Sequence, residues 1–318
     1  PWALAFYELA LAALVPLARR GGVTLGCSLL VCATALTLAP PAPNHHQLTI
    51  TALDVGQADA LVIETPAHHA VLVDAGGRLE RGVQGADSQA EAIGERIVVP
   101  FLLREGIHAL DAVVLSHPHG DHAGGLAPVF RKIRVSAFAD GGQRYGGHAY
   151  QDALNVAHAE HIALVYPRAG YEWSTNDGVK LHFIGPSLPF AQGRNAINDN
   201  SVAFILEYKH FRMLFTGDAG STAERRFLDQ GIDLHADVLK VGHHGSSYGT
   251  TPEFIAAVRP RFAIISVGRH NLFGHPAPST IERLTEAGAR IYRTDENGAV
   301  TITSDGNSEA ISTMDVVP

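Results

Sequence analysis

The sequence predicts a layered α/β domain, and three observations predict it. Short apolar runs of β type alternate with helical stretches from Gln47 almost to the end of the chain. Ligand-type polar residues cluster where those apolar runs stop. The composition, 46% hydrophobic with 32 glycines among 318 residues, suits a globular chain with ample core rather than a disordered one.

Three β-type runs come first: LTITALDV (48–55), ALVIET (60–65) and AVLVDAGG (70–77). A helix is expected from about Ser88 to Glu105, then DAVVLS (111–116) as a buried strand. A histidine-rich loop follows, with a helix near Gly124–Phe130. The later strands are RVSAFA (134–139), VKLHFIG (179–185), SVAFILEY (201–208), FRMLFTG (211–217), DVLKVG (237–242), FAIISVG (262–268), RIYRT (290–294) and AVTITS (299–304). Ser221 with Glu224, and Ser279 with Glu282, have capping-box spacing at the start of two helices. Thr251 before Pro252 has the cap-then-proline order of a third.

The N-terminal residues have a different character. Residues 1–43 carry only Glu8, Arg19 and Arg20 as charges, and Val23–Ala39 is an apolar run at the lower limit of a membrane span. A signal-like segment or a buried helix stays open as an alternative. If the segment spans, Arg19 and Arg20 keep its leading end cytoplasmic and place the rest on the outer face. PPAPNHH (40–46) then reads as a stiff linker. The expected organisation is an apolar membrane-associated segment with linker at 1–44, a catalytic domain at 45–305, and a tail or last strand at 306–318.

The chemistry concentrates in SHPHGDHAGG (116–125), which packs His117, His119, Asp121 and His122 into six positions. His117 and His119, two apart, can point to one metal, and Asp121 with His122 can serve a second; Gly120 is expected to allow the sharp turn between the pairs. Asp218, at another strand end, could bridge them. Asp74, His243 and His244 also follow apolar strands, and in layered α/β folds ligands bind outside the carboxyl ends of strands. The only cysteines, Cys27 and Cys32, lie in the N-terminal run, so the ligands must be nitrogen and oxygen. Two cations roughly 3.5–4 Å apart lower the pKa of a water and stabilise an anionic transition state, which suits hydrolysis and phosphodiesters in particular.

SHPHGDHAGG resembles the HxHxDH motif of the metallo-β-lactamase superfamily, which implies a four-layer αββα sandwich. By that resemblance Asp74 is the strand-end aspartate that orients the histidine loop, Asp218 in TGDAG is the bridging aspartate, and His244 or His243 in KVGHHGS is a further ligand. A narrower resemblance covers 48–305. LDVGQADALVIETP, VLVDAGG, NDNSVAFIL, LKVGHHGSS, FGHP and RTDENGAVTI resemble the C-terminal domain of ComEC-type DNA internalisation proteins, the membrane channels of natural transformation.

Three departures qualify the match. Ala58 stands where that family has glycine, the large channel region is not in this sequence, and the superfamily's intermediate histidine is missing. NAINDNS, with Asn198 and Asn200, holds that histidine's place. Loss of an imidazole shifts a site towards oxygen ligands, so two divalent ions are expected, Mn²⁺ favoured over Zn²⁺.

The implied activity is hydrolysis of the non-imported DNA strand by a nuclease domain on the outer face of the cytoplasmic membrane. Its partners would be single-stranded DNA, the membrane through the N-terminal segment, and the transmembrane channel of the same protein. Asp121 would orient the attacking water, and His275 or His243 would protonate the leaving oxygen. His275, with Asn271 beside it, could instead contact phosphate or fix a loop. Lys240 could meet a phosphate or pair with a carboxylate, and Asp54 and Asp59 are expected to shape loops. Two other readings are a metallo-hydrolase of another phosphoester or a lactam, and a non-catalytic DNA-guiding module.

The net charge of −8 excludes a protein that grips nucleic acid over its whole surface. Arg131, Lys132 and Arg134 form the densest basic run, Arg259, Arg261 and Arg269 a looser one, and no interleaved aromatics mark a stacking groove.

Overall fold

The computed structural model describes residues 47–79 and 91–314. The expected membrane segment and linker lie outside them, as does the start of the helix expected from Ser88. Among the described residues no helix is long and apolar enough to cross a membrane.

In chain order, β1 (Leu48–Ala52), β2 (Leu61–Glu64) and β3 (Ala70–Val73) precede a π-helical turn, Gly94–Val98, that runs into α1 (Val99–Arg104). Then come β4 (Ala109–Val114), α2 (Gly120–Ala123), α3 (Leu126–Lys132), β5 (Arg134–Ala139), α4 (His148–Ala159), β6 (Ala163–Val165), β7 (Glu172–Ser174) and β8 (Val179–Gly185). The second half has α5 (Ala196–Asp199), β9 (Ala203–Tyr208), β10 (Phe211–Phe215), α6 (Ser221–Asp229), β11 (Val238–Lys240), α7 (Pro252–Val258), β12 (Phe262–Ile265), α8 (Pro278–Glu286), β13 (Arg290–Arg293), α9 (Thr294–Asn297), β14 (Val300–Ser304) and β15 (Glu309–Thr313).

The strands form two sheets, in the order β15-β14-β1-β2-β3-β4-β5-β6 and β13-β12-β11-β10-β9-β8-β7. Side chains on a strand alternate between faces, so each central strand feeds two cores. Ala112 and Val114 of β4 pack between the sheets with Phe204, Met213 and Phe215, while Leu110 and Val113 pack on Leu126, Phe130 and Tyr150. On the second sheet Ile205 and Leu214 turn outward onto Phe227, Phe254 and Leu284. Helix, sheet, sheet, helix is the four-layer arrangement expected. Burial on both faces also explains why these strands read as unbroken apolar runs.

In each sheet a parallel run, β3 to β6 and β10 to β13, aims its carboxyl ends at the polar loops. Two contacts between loops show that the ends meet. Val202 N donates to Ser116 O at 2.7 Å, and Gly268 N to Gln57 Oε1 at 3.0 Å.

Several local expectations need correction. Ser221 and Ser279 cap nothing: the N-caps are Gly220 and Ala277, without side-chain bonds. Glu224 instead reaches across to the N-terminus of α7, accepting from Thr251 N at 3.0 Å and Thr251 Oγ1 at 2.8 Å, and also from Thr250 N. Thr251 does cap α7. Gly120 is not at a left-handed turn but opens α2. The glycine that matters there is Gly77 (φ +142°), where a Cβ would lie 2.0 Å from Gly120 O. Arg131, Lys132 and Arg134 end α3 and begin β5, opposite to the carboxyl ends of the strands.

Candidate metal centre

Asp74 organises the histidine loop. Its Oδ1 accepts from Ser116 N at 2.7 Å, and its Oδ2 from Ser116 Oγ at 2.7 Å and His122 Nδ1 at 2.8 Å. With Nδ1 donating to Asp74, Nε2 is the His122 nitrogen left to ligate once it gives up its proton, and it lies 3.4 Å from Asp218 Oδ1 and 3.9 Å from Asp121 Oδ2. His244 is fixed in the same sense, because its Nδ1 must donate to the carbonyl of Ser266 at 2.9 Å. Its Nε2 then lies 3.4 Å from Asp121 Oδ2 and 3.9 Å from Asp218 Oδ2. Ligand atoms of Asp121, His122, Asp218 and His244 all fall within 4.8 Å of one another, and all four residues are buried.

His117 and His119 stand on the other side of Asp218. The Ser116 hydroxyl, already donating to Asp74, can only accept from His117 Nδ1 at 3.1 Å. His117 Nε2 therefore faces outward, 3.0 Å from His119 Nδ1 and 3.8 Å from Asp218 Oδ2. His243 Nε2 is also 3.8 Å from Asp218 Oδ2 and lies 3.4 Å from Asn198 Nδ2. Asp218 thus sits between two sets of nitrogens.

Backbone strain serves this arrangement. His243 (φ 52°, ψ 44°) and His244 (φ 54°, ψ 25°) are consecutive non-glycine residues in the left-handed region, each costing about 1–2 kcal/mol. The surrounding hydrogen bonds hold that conformation, which sends both rings to the centre. Such outliers concentrate at functional sites.

The residues fit a divalent cation on chemical grounds. His122 Nε2, Asp121 Oδ1, Asp218 Oδ1 and Asp59 Oδ1 are buried without a hydrogen-bond partner, and buried polar atoms are rarely left so. Burial alone would depress His122, yet Asp218, Asp74 and Asp121 hold its pKa well above the ordinary 6.5. Against the same burial, Asp218 leads the groups that raise His244. Burial would raise Asp218, but His122, His244 and His243 hold it well below the usual carboxylate range. Imidazolium protons therefore neutralise these carboxylates where a metal ion would. His117 and His119 differ: burial lowers both, so they stay neutral and ready to ligate.

Asp59, Asp74 and His122 form a second close group. Two of its carboxylate oxygens are already committed, since Asp74 Oδ2 accepts two hydrogen bonds and Asp59 Oδ2 binds Lys240 Nζ at 2.7 Å. A metal there would have to displace both. Lys240 also donates to Val241 O, and it is 1% exposed, so it pairs with a carboxylate and does not reach a phosphate. Asp59 is more than a loop former, whereas Asp54 accepts only from the nearby Gly56 N.

The supporting residues divide. Asn198 touches the centre, but the Asn200 amide is spent on Ala191 and Ala196 of its own loop. Asn271 touches no candidate ligand; it ties the backbone of Gly268, Phe273 and His275 into one turn. That turn sets His275 with its ring 5.6 Å from that of His243. Gln57 orients it further, because the Gln57 amide nitrogen can only donate to His275 Nδ1, at 3.4 Å, leaving the proton on Nε2. Burial, with His243 and His244 nearby, lowers the His275 pKa to about 4. Sequence reading missed the roles of Gln57 and Ser116, although both lie inside motifs it quoted.

The fold and ligand sets define a class. The family model of the metallo-β-lactamase superfamily matches residues 53–269, and the chain belongs to that superfamily. Within it, the relatives carry the resemblance to ComEC-type competence proteins. ComE operon protein 3 of Bacillus subtilis (strain 168) is 30% identical over 251 residues, 78% of this chain and 32% of that protein. Competence protein ComA of Neisseria gonorrhoeae is 29% identical over 91% of this chain and 37% of its own length. Recombination protein 2 of Haemophilus influenzae is 28% identical over 87% and 32%. The chain spans about a third of the length of these relatives. Among solved structures, CmlA, a diiron beta-hydroxylase from Streptomyces venezuelae, aligns with TM-score 0.53 and 13% identity, over 82% of this chain and 54% of that one. At that identity the likeness is of fold alone.

Proposed function

We propose that this domain is a metal-dependent phosphodiesterase that cleaves single-stranded DNA as part of a DNA-uptake protein, on the outer side of the membrane, where it degrades the strand that is not imported. The observation that carries the reading is Asp218, held ionised between two nitrogen sets: His122 and His244 with Asp121 on one side, His117, His119 and His243 on the other. Similarity to competence proteins supports DNA as the substrate, and the ligand geometry supports metal-dependent hydrolysis.

Bound there, a pair of divalent ions would lower the pKa of a water and neutralise charge on the phosphoryl group. Asp121, its pKa held low despite burial by His122 and His244, keeps Oδ1 free to orient that water. His275 is neutral at pH 7 and carries its proton on Nε2, so it suits a hydrogen bond to a phosphate oxygen better than delivery of a proton. His243 stands where the missing imidazole would act, and we assign it as a ligand. That assignment gives one position three imidazoles. The case for Mn²⁺ then rests on the other, with two imidazoles and two carboxylates.

The test is cleavage of linear single-stranded DNA by the full chain with Mn²⁺, Zn²⁺ or chelator, alongside Asp121→Ala. Metal-dependent cleavage that falls at least about 100-fold in the variant is expected, the usual scale for a general base. Cleavage at an unchanged rate in Asp121→Ala would overturn the mechanism.

A further inference from the structure

One exposed apolar feature adjoins the candidate centre and has no part in the chemistry above. Leu272 is 81% exposed and Phe273 44% exposed, at the tip of the turn that carries His275. The tip is held rigidly: the Asn271 side chain makes four hydrogen bonds to the backbone of Gly268, Phe273 and His275. The Phe273 ring stacks on His275 at 5.7 Å and 27°, and His275 in turn meets His243, beside Asp218. Tyr145, partly buried against the helix-side core, packs edge-on to His119 at 5.4 Å. Aromatic rings therefore adjoin the site at two places, one beside His119 and one beside His275. The two rings are far apart in the chain, so no aromatic pattern shows in the sequence.

We propose that Phe273 and Tyr145 grip the substrate by stacking on unpaired bases beside the phosphate held at the centre. This rests on the phosphodiesterase reading above. Duplex DNA buries its base faces in its own stack, so rings beside a phosphate-binding centre can reach base faces only in an unpaired strand. Stacking also answers an electrostatic problem. The chain has a net charge of −8, and its densest basic run lies at the far end of the strands, so phosphate attraction cannot supply most of the affinity. Each ring needs only a π-face, which makes the grip tolerant of sequence.

The experiment measures binding of the full chain to a fluorescent single-stranded oligonucleotide in chelator, by anisotropy. Base–aromatic stacking of about 1–3 kcal/mol corresponds to roughly 5- to 100-fold in Kd. Phe273→Ala and Tyr145→Ala should each weaken binding within that range, and Phe273→Trp should restore it. An oligonucleotide abasic at the contacted positions should bind the wild-type chain weakly, and Phe273→Ala should bind it no worse than that. Unchanged affinity in both alanine variants would overturn the proposal. So would loss of binding to phosphatidylglycerol–phosphatidylethanolamine vesicles in Phe273→Ala with DNA affinity intact, which would make the tip a membrane contact. Because binding is read without metal, loss of stacking and absence of hydrolysis are separate results.

Discussion

Metal binding at this centre should release more protons at one position than at the other. The perturbation is pH. His122 and His244 have pKa values raised by Asp218 and neighbouring carboxylates, so near pH 6 both carry protons that an incoming cation must displace. Two displaced protons change the binding constant by about 100-fold per pH unit, since each contributes about tenfold. As pH rises through the value of His244 the dependence falls to about tenfold, and it vanishes only above that of His122. His117 and His119 are depressed by burial and already neutral, so an ion they hold gains little from raised pH. Titration calorimetry of the full chain with Mn²⁺ and with Zn²⁺ gives the test. Repeated between pH 6 and 8 in buffers of different ionisation enthalpy, it counts the protons directly. One binding event releasing nearly two protons near pH 6, and a second releasing clearly fewer, is the expected result. Equal, pH-independent affinities at both would refute the assignment of charge.

Three further outcomes follow from the same geometry. In chelator, the His122 contribution to stability is fully present below the ordinary pKa of 6.5 and is lost as pH rises through its raised folded value; thermal unfolding should show a metal-free chain that weakens from neutral to alkaline pH and is rescued by metal. His243→Gly relieves left-handed strain of about 1 kcal/mol, so the metal-free Tm should hold or rise while affinity at one metal position drops at least about tenfold; lost stability with unchanged binding would contradict the ligand role. Lys240→Met takes the ammonium partner from the buried Asp59, leaving His244 and His122 at 3.6 and 3.9 Å, and should cost about 3–5 kcal/mol by denaturant unfolding, whereas Lys240→Met with Asp59→Asn should cost clearly less; equal costs would mean the pair is not coupled.

The legible parts of the sequence were those where one local pattern answers to one physical demand. Strands β5 and β8 match RVSAFA and VKLHFIG residue for residue, because each alternates polar, exposed positions with buried apolar ones. Strands β6, β7 and β15 went unread or undecided: all three are edge strands with mostly exposed side chains, so no alternation marks them. Helix α4 was missed because its buried face is Ala149, Tyr150, Ala153 and Ala157, too small to signal a core stripe. In the centre, the compact HxHxDH spacing identified the loop and Asp218, but partners that act at long range stayed hidden. Gln57 reaches His275 and Lys240 reaches Asp59 only once the two sheets are stacked. The Glu224 capping pair failed for the same reason, since a buried carboxylate found a better set of donors on another helix.

The central claim is that Asp218 joins two metal positions, and metal stoichiometry tests it most directly. Equilibrium dialysis of the full chain against Mn²⁺ or Zn²⁺, with metal analysis and circular dichroism to verify folding, should give two ions per chain. Asp218→Ala should lose tight binding at both positions. A single ion per chain that survives Asp218→Ala unchanged would contradict the account.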